Sequence, residues 1–195
     1  MAPVLVQEDR IREFEDFRAF YDWLAEHHDT AEEVWIRIFK KNSGRQTISP
    51  VEAIDAVLCW GWIDAIKKSW DEISFVQRYC PRRPKSVWSQ INRDNVARLI
   101  EAGLMTEHGL KHVDLAKADG RWDAAYKTTM DAPEDLLAAI TLNPEALKTY
   151  ERLSSQNRFA LTFRVHSLKT AAGRAKKIAG FVDMLARGET IYPQK

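Results

Sequence analysis

The sequence predicts an α+β fold: a small antiparallel three-stranded sheet with flanking helices, followed by an all-helical C-terminal half. Three observations lead there. Runs rich in β-branched and aromatic residues occur at 34–40, 62–69 and 73–79. Apolar residues at helical spacing lie between and after them. Beyond Pro84 the chain is punctuated by helix starts and stops. With 195 residues, 45% apolar and 29% charged, the composition is that of a soluble globular protein with enough chain for a core. Collagen-like, disordered and coiled-coil chains are excluded.

Taken in order, Phe14, Phe17, Tyr21 and Leu24 predict an amphipathic helix over 12–27 with an acidic outer face. Val34 to Lys40 reads as a strand covered on both faces, and Asn42 to Arg45 as a turn in which Gly44 supplies positive φ. Ser49-Pro50-Val51-Glu52 is a capping box with proline at the first helical position; it opens a helix that buries Val51, Ile54, Val57 and Leu58 and ends near Gly61. Residues 62–69 and 73–79 form a hairpin about Asp71-Glu72. Val96, Leu99 and Ile100 mark a helix closed by Gly103, and Thr106 caps another ending at Gly120. Pro133 and Asn143-Pro144 open two more. Phe159 to Val165 fits either alternation or helical spacing, and its helical neighbourhood selects helix. The last helix runs from Ala171 to near Gly188. Residues 1–103 are expected as an α+β unit and 104–195 as a helical region packed on it, or both as one continuous domain, with the divide falling between 103 and 133.

The formal net charge of +1 conceals blocks of one sign. Residues 1–33 hold ten acidic side chains against three arginines, while 34–51, 76–98 and 164–187 are basic. Such blocks either neutralise one another on folding or face a ligand. The two cysteines, Cys59 and Cys80, form no metal-binding spacing and suggest a reducing compartment. The N-terminus lacks the pattern of a signal peptide, and no apolar run is long enough for a membrane span. The expected location is cytoplasmic.

Three constellations carry chemistry-bearing residues. In Cys59-Trp60-Gly61-Trp62-Ile63-Asp64 through Lys67-Lys68, two indoles flank a glycine, followed by an acid and two cations. This reads as a pocket wall or as plain packing of helix on sheet. A buried Asp64 needs a partner, with Lys67, Arg78 and Arg82 available. In Arg78 to Asn92, two prolines stiffen a loop bearing three arginines and Lys85 beside Trp88. Guanidinium forks suit phosphate or carboxylate; the competing reading is pairing with the acidic N-terminal stretch. His108 and His112, four apart on a helix, have the spacing of metal ligands without a third partner, so solvated histidines are the simpler reading. Cys59 has no neighbouring base and reads as an inert buried thiol. No phosphate-binding glycine loop and no nucleophile elbow is present.

Longer runs resemble a known family. Phe39-Lys40-Lys41-Asn42-Ser43-Gly44-Arg45, Glu52-Ala53 through Asp64, and Arg78-Tyr79-Cys80-Pro81-Arg82-Arg83-Pro84-Lys85-Ser86-Val87-Trp88-Ser89-Gln90-Ile91-Asn92 are similar to the YdeI/OmpD-associated, or bacteriocin-protection, family. So are Gly120-Arg121-Trp122-Asp123-Ala124-Ala125-Tyr126, Pro133-Glu134-Asp135-Leu136 and the helical end through Tyr192-Pro193. The resemblance implies a link to stress and antimicrobial-peptide resistance and to an outer-membrane porin, but no catalytic or binding residues and no cofactor. The N-terminal part also looks distantly like the YdhG-like group, some of which is compared with frataxin-type iron carriers.

The residues together predict a binding module. Lys40, Lys41, Lys67, Arg78, Arg82 and Lys85 supply charge, Trp62 and Trp88 stack, and Asn92 orients an anionic, phosphate-bearing small molecule or a nucleic-acid fragment. The alternatives are an enzyme using Asp64 as acid or base in the same groove, and iron carriage by the acidic N-terminal helix.

Overall fold

The computed structural model describes residues 5, 6, 8–127 and 131–194. The chain divides into two compact units, Met1–Tyr126 and Lys127–Lys195. Twelve regular elements are described: β1 Ile11–Arg12, α1 Phe17–His27, β2 Val34–Phe39, α2 Pro50–Cys59, β3 Trp62–Ser69, β4 Ser74–Pro81, α3 Gln90–Glu101 and α4 Glu107–Ala118 in the first unit, and α5 Glu134–Thr141, α6 Pro144–Glu151, α7 Ser155–His166 and α8 Ala171–Ala186 in the second.

The α+β class holds, with one correction: the described sheet has four strands in the order β1-β2-β4-β3. The extra strand, β1, has two residues paired parallel to β2 through Ile11–Trp35 and Arg12–Ile36, too short to leave an alternation in the sequence. It also displaces the start of the first helix. That helix begins at Phe17, where the Asp16 side chain accepts the Ala19 amide. Phe14 stays outside it yet packs its ring 4.9 Å from Phe20.

β2 and β4 pair antiparallel from Val34–Tyr79 to Phe39–Ser74, and β4 pairs with β3 on its other side. A register shift between Asp64 and Lys67 twists the edge strand β3. Phe20 and Leu24 of α1, Val34, Ile36 and Ile38 of β2, Ala53, Ala56 and Val57 of α2, and Trp62 and Tyr79 form one buried core. The opposite side of α2 presents Leu58 and Cys59 to a second core with Trp88, Val96 and Leu99, Val113 and Ala116. α2 is therefore enclosed on two sides. The capping box at Ser49 and Glu52 forms as the sequence predicts. Val51, in the first turn, is 64% exposed, whereas the buried positions are Ala53 and Asp55 to Cys59. Two packing surfaces select the last two turns of α2 and leave its start in solvent.

α4 lies close on the end of α2. The Thr106 hydroxyl donates to the Cys59 carbonyl at 2.6 Å and its amide to the same oxygen at 3.2 Å. Those contacts satisfy a carbonyl that the helix end leaves without an intrahelical partner. A Cβ on Gly109 would lie 2.4 Å from the Cys59 carbonyl oxygen and 2.6 Å from that of Leu58. Only glycine permits this approach.

In the second unit, Leu136, Ile140, Leu161, Val165, Ile178 and Leu185 are among the residues that form a separate core of α5–α8. Arg174 grips Asp135 with two hydrogen bonds of 2.6 and 2.8 Å. The buried Asn157 side chain ties the segment after α8 to α7 by donating to the Tyr192 carbonyl and accepting its amide. Residues 155–166 are helical, so the ambiguous 159–165 stretch takes the helical option.

Substituting Gly109→Ala forces backbone of α4 off backbone of α2. It is expected to lower the stability of the first unit by about 1–3 kcal/mol, read as a shift in the denaturation midpoint by tryptophan fluorescence. An unchanged midpoint would show that the helices part without cost.

Candidate functional site

The end of β4 and the start of β3 meet at Gly61, whose carbonyl accepts the Arg82 amide at 3.0 Å. Gly61 has φ of 72°, and a Cβ there would lie 2.6 Å from the His112 ring and 2.9 Å from the His108 carbonyl. The turn out of α2 is thus pressed against α4, which places His112 beside Arg82.

Arg82 is only 4% exposed. Its guanidinium carbon lies 3.9 Å from the centre of the Trp88 ring, so the indole sets its plane. Nη1 donates to the Val87 carbonyl at 3.1 Å. Nε and Nη2 are buried and have no partner among the described residues. No carboxylate forms an ion pair with Arg82 among the described residues. Burial lowers its pKa to about 10, although Asp64 opposes the shift. The indole NH of Trp88 and the Tyr79 hydroxyl are likewise buried without a partner. Such groups cost about 1–3 kcal/mol each when left unsatisfied, and native structures contain few of them.

Asp64 stands directly opposite Tyr79 in the β3–β4 register. Burial raises the Asp64 pKa, partly offset by Arg82. Burial and the Asp64 charge both raise that of Tyr79. Tyr126, hydrogen-bonded by Ser89, is raised by burial and then by Asp64. His112 is lowered by burial and by Arg82 next to it. Segment 121–126 closes this side: Arg121 Nη1 donates to the Ser86 carbonyl at 2.7 Å, and Tyr126 exchanges backbone hydrogen bonds with Trp88 and Gln90.

The sequence-derived candidates separate into two groups. Arg82, Trp88 and Asp64 come together. Asn92 lies on the first turn of α3 beside them, its amide donating to the Ser89 hydroxyl. Lys85 is exposed on the same loop. The others are placed elsewhere or engaged. Arg78 is bound through Nε to Glu33 at 2.5 Å, which is the pairing with the acidic stretch that the basic loop allowed. Trp62 is 1% exposed, with its NH on the His28 carbonyl, so it is core and has no face open to a ligand. Lys67 lies over Phe75 at 3.7 Å, opposite Gln77 and well back from the end of β4. Lys40 donates to the Glu72 carbonyl, and with Lys41 it sits where β4 begins. At ~3.3 Å per residue, the eight residues of β4 hold these lysines roughly 25 Å from Arg82. Antiparallel register therefore splits the grouping of Lys40 and Lys41 with Arg82.

His108 packs its ring 4.1 Å from His28 and 5.7 Å from Trp60, while His112 covers Gly61. Among the described residues no group of three His, Cys, Asp or Glu side chains is arranged to hold a metal. Several acids of the N-terminal stretch are taken by arginines: Glu13 by Arg37, Asp22 by Arg18 and Glu32 by Arg10. Burial pushes the Cys59 thiol up to about 12, consistent with an inert residue. Tyr79, Tyr126 and Arg121 join the site without having been singled out. Tyr79 was visible as a strand residue, but nothing local connects Tyr126 to Trp88. Two surface concavities lie elsewhere, one beside Trp23 and Glu33 and one along α8 at Lys176, Lys177 and Phe181.

Fold and site together define a protein with a helix-backed α+β unit and a separate helical unit. Residues 12–112, just over half of the chain, match a domain of unknown function (DUF8412), and the chain belongs to that family; residues 129–188 match the model of the family described as bacteriocin-protection, YdeI or OmpD-associated. Comparison with curated proteins and with solved structures gives no match. No described helix is long and apolar enough to cross a membrane.

Two outcomes follow from the buried charges. Folded Asp64 holds its proton more tightly than it does in the unfolded chain, so its contribution to stability is fully present below its ordinary pKa of 3.8 and is lost as pH rises through the raised folded value. Asp64→Asn is therefore expected to raise the unfolding midpoint at pH 7 and to lose that advantage near pH 3. Arg82→Met removes unsatisfied donors and keeps apolar contact with Trp88. Its stability should stay within about 1 kcal/mol of wild type, against the ~3–5 kcal/mol cost of breaking a buried ion pair. A larger loss in chemical denaturation would make Arg82 a structural strut.

Proposed function

We propose that the protein is a binding protein that holds an anionic ligand, phosphate- or carboxylate-bearing, against Arg82 in its first unit. The single observation that carries this reading is the buried Arg82 guanidinium, whose Nε and Nη2 have no acceptor among the described residues. Trp88 and Tyr79 add two neutral donors of the same kind close by. The guanidinium and the indole N–H are donors only, and an oxygen-rich anion matches them. Arg82 suits a terminal group better than a continuous nucleic-acid backbone, because its donors lie below the surface. Lys85, exposed on the same loop, supplies longer-range attraction. The two free thiols, Cys59 and Cys80, favour a reducing, cytoplasmic setting. The stress and antimicrobial-resistance role attached to the family fits a ligand-holding protein, with this site as its working part.

A second reading rests on Asp64. It is a carboxylic acid whose pKa is raised by burial, it forms no ion pair among the described residues, and it stands next to the proposed anion position. Those are the properties of a general acid or base. In that reading Asp64 exchanges a proton with the held ligand, and Asp64→Asn keeps binding while losing turnover.

Thermal unfolding against phosphate, nucleotides, short oligonucleotides and simple carboxylates tests the first reading. A ligand present at 100 times its Kd adds about 2.7 kcal/mol. At least one anion should raise the midpoint of wild type and leave Arg82→Met unmoved. Equal responses of the two proteins, or none from any anion, would remove the site.

A further inference from the structure

The chemistry of the ligand follows from which edge of the buried Arg82 is unpartnered, an inference that rests on the binding reading above. Nη1 is taken by the Val87 carbonyl. The unpartnered pair, Nε and Nη2, is the side edge of the guanidinium, from which two N–H groups project in parallel. Because the Trp88 ring covers one side of the group, its centre 3.9 Å from the guanidinium carbon, a ligand meets the donors from the remaining sides, where the Nε–Nη2 edge projects. A planar acceptor with two oxygens on one carbon matches that edge.

The charges around the edge restrict the ligand further. Asp64 comes from β3, Tyr79 and Cys80 from β4, His112 from α4, and Arg121 and Tyr126 from the segment after α4. Arg121 spends its Nε on the Asp119 carboxylate and Nη1 on the Ser86 carbonyl. Among the described residues that surround this edge, Arg82 is the cation with unpartnered N–H groups, and one carboxylate, Asp64, opposite Tyr79 on β3, stands within its field. A dianion placed there would face Asp64 with a single guanidinium to balance it; a monoanion would not.

We infer that the unpartnered Nε–Nη2 edge of Arg82 receives the carboxylate of a small monocarboxylic acid, and that Asp64 acts as the specificity determinant that rejects phosphate. Phosphate at neutral pH carries close to two charges and three strong acceptor oxygens, more than two coplanar donors satisfy. Asp64 repels it more than it repels a carboxylate.

The test is a titration of the full chain, labelled with nitrogen-15, followed through the Arg82 Nε–H and Trp88 indole N–H resonances. Acetate, benzoate and inorganic phosphate are added at constant ionic strength, with chloride as control. A carboxylate should shift both resonances saturably and at least tenfold more tightly than phosphate at pH 7.5. Asp64→Asn should narrow that ratio severalfold by improving phosphate binding. Arg82→Lys, which keeps the charge but not the fork, should abolish the carboxylate response; should that variant fail to fold, the wild-type and Asp64→Asn ratios decide. Phosphate binding as tightly as the carboxylates, or a ratio untouched by Asp64→Asn, would overturn the carboxylate assignment while leaving an anion site. Shifts equal to those from chloride, or none, would overturn both.

Discussion

The close seating of α4 on the end of α2 is the constraint from which the rest of the first unit follows. It depends on Gly109 lacking a side chain and on the Thr106 hydroxyl meeting the Cys59 carbonyl. With α4 in place, the chain leaves α2 through Gly61 at positive φ, under the His112 ring. The Gly61 carbonyl then anchors the Arg82 amide, and Arg82 is carried inward at the end of β4. A side chain at either glycine would move the backbone that aims the guanidinium.

That arrangement buries a charge without giving it a partner. Elsewhere in the same unit burial and charge are reconciled in the usual way. Asp55, 8% exposed, accepts two bonds from Arg98, and Glu33 accepts Arg78. Arg82 stands apart from both because its compensations are weak: an indole face, one carbonyl and a carboxylate that does not reach it. Among the described residues of this unit, His28 Nε2, Trp60 Nε1, Tyr79 OH and Trp88 Nε1 are also buried without a partner, but Arg82 is the charged member of that set, and its imbalance is the one the proposed ligand would relieve. The raised pKa values of Asp64, Tyr79 and Tyr126 and the lowered one of His112 are further consequences of the same dry environment.

The family matches add a resemblance to the helical unit and little chemistry to the α+β unit, where the unpaired donors lie. The two matches fall on different units, residues 129–188 and 12–112.

Much of the fold was legible because its signals are local. The capping box at Ser49, the Thr106 and Asn143 caps, the β3–β4 hairpin and the apolar periodicities each involve residues a few positions apart, where propensity and hydrogen bonding act directly. Arg82 and Trp88 were also within reach, six residues apart on one stiff loop. What the sequence left open is everything set by register and long-range packing. β1 is too short to show itself until β2 lies beside it. Lys40 and Lys41 look like companions of Arg82, but antiparallel pairing puts them at the opposite end of β4. Trp62 and Trp60 are alike in sequence, yet Trp62 is buried inside the sheet core, while Trp60, at the end of α2, packs only partly buried against both cores. Tyr126 reaches the site from 38 positions beyond Trp88 by pairing backbone to backbone. The chain alone determined which residues bear charge and which segments are helix or strand; tertiary structure decided which charges stay unpaired, because that depends on distances between segments that no local rule encodes.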